Sequence, residues 1–146
     1  MRKTKLICLI SALIGLSLLS TGCLEIFTEY GRNYNDALKA YNAGDYDRAV
    51  YLLVSSLKAK PDYDKSIALL NEVAPLAYEK HQKAAIKYEE DKNWDEAFAN
   101  YDAITKLVAA VSSLRGEYPT VDVESKRDKM AQRAAEEHYE RGISFM

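Results

Sequence analysis

The stretch Gly44-Asp45-Tyr46-Asp47-Arg48-Ala49 decides the fold, because a related stretch, Lys92-Asn93-Trp94-Asp95-Glu96-Ala97, follows it at an offset of 48 residues. In both stretches an aromatic residue follows two turn-forming positions, and an alanine lies three residues after the aromatic. The same offset relates three further pairs: Tyr30 and Tyr78, Ala37 and Ala85, and Lys39 and Lys87. Such self-similarity predicts a repeated unit of secondary structure.

A third copy of the pattern begins near the end of the sequence. Ala77-Tyr78-Glu79-Lys80-His81 matches Ala134-Ala135-Glu136-Glu137-His138 at an offset of 57 residues, and the match continues as far as Phe145. In the continuation of the match, Gly142 aligns with Ala85 and Phe145 with Tyr88, so small and aromatic residues recur as repeated helix packing requires. A chance match between short segments rich in Ala and Glu is the alternative.

Apolar residues recur with helical spacing through most of the chain. One stripe is Ala49, Leu52, Leu53 and Leu57, and another is Ala97, Tyr101, Ile104, Leu107, Val108 and Val111. This period, without an alternating strand pattern, predicts an all-α fold of about five helices. Pro61-Asp62 is expected to open a helix that Pro75 kinks or splits, because proline lacks an amide donor. A later helix is expected to end at about Leu114 and the last to begin at about Asp122, with Gly116-Glu117-Tyr118-Pro119 as a loop between them.

These features together resemble the tetratricopeptide repeat, in which two antiparallel helices cross at a small residue and an aromatic residue opens the second helix. The resemblance implies a solenoid of stacked antiparallel helix pairs over residues 34–146, with units at about 30–63 and 78–114 and a partial unit at 135–146. It assigns the structural repeat positions to Ala37, Gly44, Tyr46, Ala49, Pro61, Ala85, Trp94, Ala97, Tyr101 and Gly142. Ala109 stands where the second unit's terminal proline is expected, and both offsets exceed the family's usual spacing of about 34 residues.

In this family the first helix of each unit lines the binding groove. The resemblance therefore implies a protein-binding surface made of Tyr34, Leu38, Tyr41, Asn42, Gln82, Ile86, Glu89, Glu90, Tyr139 and Ile143. Tyr34 and Leu38 stand where some members carry residues that clamp the C-terminal carboxylate of a peptide. The expected ligand is therefore an apolar or basic segment of another protein.

The first 23 residues have the organisation of an export signal. Arg2-Lys3-Thr4-Lys5 precedes an apolar run from Leu6 to Leu19, which is shorter than the about 20 residues that a membrane-spanning helix needs. Leu19-Ser20-Thr21-Gly22-Cys23 resembles the bacterial lipoprotein processing site, although Ser20 stands where leucine is usual. The resemblance implies a signal peptide at 1–22, a lipidated Cys23 and a short tether at 23–33. An ordinary signal peptide that ends near a cysteine is the alternative.

The lipoprotein resemblance implies a diacylglycerol and a fatty acyl group (palmitate or similar) on Cys23 and no other cofactor. The remaining cysteine, Cys8, lies in the segment that would be removed. Two acyl chains anchor a protein stably, so the lipid alone would hold the body to the membrane. Leu24 follows Cys23, which by the same resemblance favours the outer membrane over the plasma membrane of a bacterial envelope.

Composition and motifs argue against nucleic-acid binding and catalysis. The 146 residues carry a formal net charge of −2, with 48% hydrophobic and 29% charged residues, and no basic block of the kind that phosphate binding needs. There is no Gly-rich phosphate loop, His-Glu-x-x-His or Gly-x-Ser-x-Gly motif. His81 and His138 are the only histidines, and we expect them to pack or hydrogen-bond between helices. The sequence therefore predicts no enzyme and no metal site.

The expected function is a lipid-anchored scaffold or assembly factor for other envelope proteins. One alternative is a structural subunit of a large surface or envelope assembly, in which the C-terminal helix docks on another chain or forms an oligomer. Another is an accessory subunit that binds a small molecule or the cell wall through a pocket near His81 and His138. The final helix either caps the array or is followed by more chain in a longer protein.

Overall fold

The computed structural model describes residues 25–115 and 121–144, and within them the chain is all-α, as predicted. A short 3-10 turn (Glu25–Phe27) precedes five helices. They are α1 (Glu29–Asn42), α2 (Tyr46–Ala59), α3 (Asp64–Glu90), α4 (Trp94–Arg115) and α5 (Val121–Ser144). No helix in the described ranges is both long enough and apolar enough to cross a membrane.

The two sequence motifs form the same turn between helices. Gly44 N–H donates to the Tyr41 carbonyl at 2.9 Å and Asp45 N–H to the Ala40 carbonyl at 2.9 Å. At the 48-residue offset, Lys92 N–H donates to Glu89 at 3.1 Å and Asn93 N–H to Tyr88 at 2.9 Å. This pair of bonds is the Schellman closure of a helix, which needs a left-handed residue. Gly44 has φ 75° and Lys92 has φ 57°, so the repeat extends to the backbone.

Alanines lie where the helices approach most closely. Ala37, Ala49, Ala85 and Ala97 are all fully buried, which is the burial that their equivalent places in the repeat predict. Around the first pair a hydrophobic cluster joins α1, α2 and the first half of α3, and Leu107 and Val111 of α4 complete it. A second cluster joins the rest of α3 and α4 to α5 through Val123 and Met130. The core thus consists of two clusters, and α3 and α4 contribute residues to both.

Contacts between helices follow the order of the sequence. Each helix packs against the next, α2 also packs against α4, and α1 touches α3 only slightly. Within the described residues α1 does not reach α4 or α5, and α3 does not reach α5. Turns of three or four residues separate the first four helices, so consecutive helices fold back on one another.

Of the two outcomes predicted for Pro75, a kink or a split, the split is wrong, because α3 is continuous from Asp64 to Glu90 with Pro75 inside it. Buried Leu70, Val73 and Ala77 pack both sides of Pro75 into the first cluster, and this packing outweighs the missing amide donor. The helix begins at Asp64, after Pro61. The expected α4 end and α5 start agree with the helix bounds, whereas the loop at 116–119 lies outside the described residues.

The N-terminal boundary also differs from expectation. The segment 23–33 was expected to be a tether, but residues 25–27 form the 3-10 turn and α1 begins at Glu29. Thr28 caps α1, its hydroxyl oxygen accepting from Gly31 N–H at 3.1 Å. The folded body therefore begins much closer to Cys23, which itself lies outside the described residues.

Candidate binding site

Several residues of the predicted binding surface are apolar and exposed. The described residues include seven large hydrophobic side chains that are exposed. Four of the seven belong to the predicted lining set: Leu38, Ile86, Tyr139 and Ile143. Exposed apolar side chains favour protein contact when they lie together, so their arrangement decides what they can do.

The described contacts between α1 and α3 lie at the start of α3, before the predicted lining residues Gln82, Ile86, Glu89 and Glu90 of the second unit. The Tyr41 hydroxyl on α1 donates to the Glu72 carboxylate on α3, and this bond raises the Tyr41 pKa above its ordinary value. Tyr34 meets the Tyr63 ring edge-on at 5.7 Å between centroids. Tyr139 and Ile143 lie on α5, which makes no contact with α1 or α3 in the described residues. A single groove that joins the lining residues of all three units is therefore not seen in the described part of the chain.

Some of the remaining lining residues are exposed to solvent, and one is hydrogen-bonded within the protein. Asn42 and Glu90 are exposed at the ends of their helices, and Gln82 is half-buried. Glu89 accepts a hydrogen bond of 2.8 Å from the hydroxyl of Tyr101, which is 2% exposed. Burial first, and this bond second, raise the Tyr101 pKa. Glu89 therefore holds α4 on α3 and is less available to a ligand.

His81 joins three helices. Its Nε2 lies 2.8 Å from Asp47 Oδ2 on α2, and its Nδ1 lies 2.9 Å from Asn100 Oδ1 on α4. Asn100 Nδ2 in turn donates to the Glu96 carbonyl at 2.8 Å, which orients its oxygen toward His81. Both ring nitrogens thus face acceptors, and the His81 side chain is only 14% exposed. This is a junction between helix pairs.

The same junction recurs one unit later. His138 on α5 lies 3.0 Å from Asp95 Oδ2 at the start of α4, and Arg133 stacks over the Trp94 ring at 4.6 Å. Asp47 and Asp95 are not among the site residues predicted from the sequence, although each is the partner of a histidine. A signal was present, since the offset of 48 relates the two aspartates while the offset of 57 relates the two histidines.

Neither histidine lines a cavity that lies among the described residues. This cavity, of about 260 Å³, lies between α2, α3 and α4 where the two clusters meet. Its walls are apolar apart from the Tyr78 hydroxyl, and they comprise Val50, Ala74, Pro75, Tyr78, Leu107, Val108 and Val111. No group of three or more metal-binding side chains occurs in the described residues.

Besides Gly44 in its turn, two predicted repeat positions are open to solvent. Pro61 is exposed in the turn before α3. A Cβ added at Gly142 would meet nothing within 4 Å, so a helix crossing at this position is not seen in the described part of the chain. The other eight repeat positions have the placement described above.

Comparison of the chain with family models, curated proteins and solved structures finds no significant match in any of the three.

Proposed function

We propose that this protein is a lipid-anchored protein of the bacterial envelope whose tetratricopeptide-like helix pairs bind other envelope proteins. The observation that carries the proposal is the repeated unit: two copies of one Schellman turn, each followed by an aspartate that bonds a histidine of a later helix. Repeated helix pairs build extended surfaces for protein binding. The lipid anchor is proposed because the stretch Leu19–Cys23 resembles the bacterial lipoprotein processing site.

The binding surface in this proposal is the side formed by α1 and α3. Leu38 is 37% exposed and Ile86 is 43% exposed, and they occupy helices that the Tyr41–Glu72 bond ties together. Apolar side chains at the centre of a polar surface are typical anchors for a partner segment. We infer an apolar segment as the ligand, since Glu72 and Glu89 are engaged internally.

Photo-crosslinking in intact cells tests this surface. A photoreactive amino acid is placed at Leu38 or Ile86, and matched controls carry it at Ser55 or Ala99, which are exposed on α2 and α4. The proposal expects one discrete protein adduct from Leu38 and Ile86 and none from the controls. The same weak adducts from all four positions would contradict it.

A second function is favoured by the cavity between α2, α3 and α4. An apolar space of about 260 Å³ suits a small apolar molecule, so the protein would act as a carrier or accessory subunit. Mass spectrometry under non-denaturing conditions, on protein purified from its native envelope, would then show a bound small molecule. The Ala74→Leu variant, which fills the cavity, would lose it while keeping its helix content.

A third reading is a structural subunit, for which exposed Tyr139 and Ile143 on α5 would form the contact with another chain or a second copy. The Tyr139→Ser variant distinguishes it, because only this reading expects that variant to disperse an assembly seen by sedimentation. In all three hypotheses the lipid on Cys23 attaches the protein to the membrane, and the outer membrane is favoured over the plasma membrane.

A further inference from the structure

We propose that Ile26 and Phe27 form a preformed apolar tip that enters the lipid surface beside the anchor. The inference rests on the proposed lipidation of Cys23 and adds to it a defined orientation of the helical body. The partner is the bilayer itself, at the boundary between headgroups and acyl chains.

Both side chains are held out into solvent. Phe27 is 76% exposed, more than any other large hydrophobic side chain in the described residues, and Ile26 is 55% exposed. They are adjacent in sequence and lie on one short turn. Phenylalanine and aliphatic side chains partition into the membrane interface when a polypeptide lies against it.

The turn that carries them is fastened to the body on both sides. The Thr28 hydroxyl donates to the Glu25 carbonyl at 2.7 Å, and Arg32 donates to the Phe27 carbonyl at 2.9 Å. The Glu25 carboxylate accepts from the Tyr63 hydroxyl at 3.0 Å and from Lys65 at 2.6 Å. These bonds lower the Glu25 pKa, with Lys65 as the largest cause. A turn bound this firmly exposes its apolar side chains as part of the fold.

Gly31 makes this arrangement sterically feasible. It is buried in the first turn of α1, and a Cβ added there would lie 1.7 Å from the Glu25 carbonyl oxygen. Because glycine has no Cβ, the 3-10 turn can pack directly on the helix backbone. Glycine at position 31 thus leaves room for the 3-10 turn that carries Ile26 and Phe27.

Chain length identifies lipid as the surface within reach. Phe27 lies four residues after Cys23, and an extended chain spans at most about 3.6 Å per residue. A lipid on Cys23 therefore keeps Phe27 within about 14 Å of the bilayer surface. Apolar side chains of interfacial segments enter to a depth of about 5–10 Å, which this short connection allows.

Charged groups of both signs lie beside the tip. We therefore expect the contact between the tip and the bilayer to be made by its apolar side chains. The charged groups that contact the turn are of both signs: Glu25 pairs with Lys65, and Arg32 donates to the Phe27 carbonyl. Anionic lipid is therefore not required, and high salt is expected to leave the insertion unchanged.

The single tryptophan serves as an internal reference. Trp94 opens α4 directly beyond the far end of α3, and α3 begins beside the tip at Lys65. A helix of 27 residues is about 40 Å long. Trp94 therefore lies about 40 Å from the tip along α3, and its emission reports a site remote from the tip.

Quenching by brominated lipid tests the inference. The full chain is produced in bacteria, purified in detergent and reconstituted into phosphatidylcholine vesicles with or without bromine on the acyl chains. Three proteins are compared: the parent, Phe27→Trp, and Tyr51→Trp, whose added indole lies at an exposed position on α2. We expect a blue shift and loss of the added emission for Phe27→Trp only, in neutral vesicles and at high salt.

The mass of Cys23 in the same preparation separates the two possible failures. An acylated Cys23 with unquenched Phe27→Trp emission overturns the tip and leaves the anchor standing. Blue-shifted emission in native envelopes that is absent from vesicles also overturns it, since a protein would then cover the turn. An unmodified Cys23 overturns the proposed function, and the tip with it. Equal quenching of Phe27→Trp and Tyr51→Trp overturns the defined orientation.

Discussion

Gly44 and Lys92 hold the same left-handed backbone conformation in equivalent turns, and only one of them is a residue suited to it. Left-handed φ brings the Cβ of an L-residue close to a carbonyl oxygen and costs about 1 kcal/mol. Glycine avoids this cost. The second unit thus keeps the Schellman turn of the first unit despite a less favourable residue, which indicates that the packing of α3 on α4 determines the turn.

The Lys92→Gly variant is expected to raise the free energy of unfolding by about 0.5–1 kcal/mol, because it removes this strain. Urea unfolding followed by circular dichroism measures it. The matched control is Ala99→Gly at an exposed position within α4, which is expected to lower stability by about 1 kcal/mol. A loss of stability in both variants would show that Lys92 is not strained.

Removing the Tyr101 hydroxyl tests the bond between α4 and α3. Tyr101→Phe leaves the Glu89 carboxylate without its donor and is expected to cost about 1–2 kcal/mol of unfolding free energy. Tyr139→Phe, at a side chain that is 71% exposed, provides the control and is expected to change nothing measurable. Equal urea midpoints for both variants would contradict this role of Tyr101.

Four tyrosines make the fold sensitive to alkali. Burial raises the pKa of Tyr51, Tyr63 and Tyr101, and the hydrogen bond to Glu72 raises that of Tyr41. A raised pKa in the folded state means that the neutral phenol is stabilised. This stabilisation is complete below the ordinary value of 10.0 and is lost as pH rises through the raised values.

We therefore expect unfolding to accompany phenolate formation above about pH 10. A spectrophotometric titration should show these tyrosines ionising late and together with loss of helical circular dichroism. Ionisation of all eleven tyrosines in one step near the ordinary value, with helicity retained, would contradict the expectation.

At the scale of helices, features that depend on residues close together in sequence could be predicted better than contacts between residues far apart in sequence. The turn motifs, the apolar stripes and the alanines at crossing points allowed the helices and much of the core to be predicted, because each depends on neighbouring residues. The continuity of α3 through Pro75 could not be predicted, since it depends on packing against α2. The histidine partners lie 34 and 43 residues away in sequence, and only the two repeat offsets indicated them.

The two histidine junctions are equivalent in the repeat but differ in burial. The His81 and Asp47 side chains are 14% and 33% exposed, whereas His138 and Asp95 are 56% and 58% exposed. Asp47→Ala is expected to cost about 1–3 kcal/mol because it leaves a half-buried ring nitrogen unpaired. Asp95→Ala is expected to cost less than about 1 kcal/mol, since water replaces the exposed bond.

Urea unfolding of these two variants provides its own control, because both aspartates lie in the first turn of a helix and both substitutions remove the same favourable interaction with the helix dipole. The difference between the variants then reports the histidine bond alone. A larger loss for Asp95→Ala would contradict the assignment of His81 as the structural junction.

At the scale of the whole molecule, no single groove joins the lining residues of all three units among the described helices. The first two units lie on contacting helices, whereas α5 carries its lining residues away from them. The sequence could not show this, because the copies are spaced 48 and 57 residues apart and the unequal lengths shift α5 relative to α3. Any partner of the α1 and α3 surface is therefore expected to be short, engaging two units and not three.

Orientation follows from the N-terminal end. The 3-10 turn begins two residues after Cys23 in the sequence, and α1 and α3 both begin beside this turn. The proposed anchor and the proposed tip would therefore lie at the same end of the molecule, whereas Ile86 lies near the opposite end of α3.

The intact mass of the mature protein from bacterial envelopes tests the central claim most directly. The account predicts a chain that begins at Cys23, lacks residues 1–22, and carries the added mass of a diacylglycerol with or without a further acyl group. A chain that keeps its first residues, or that contains residue 23 as an unmodified cysteine, would contradict it.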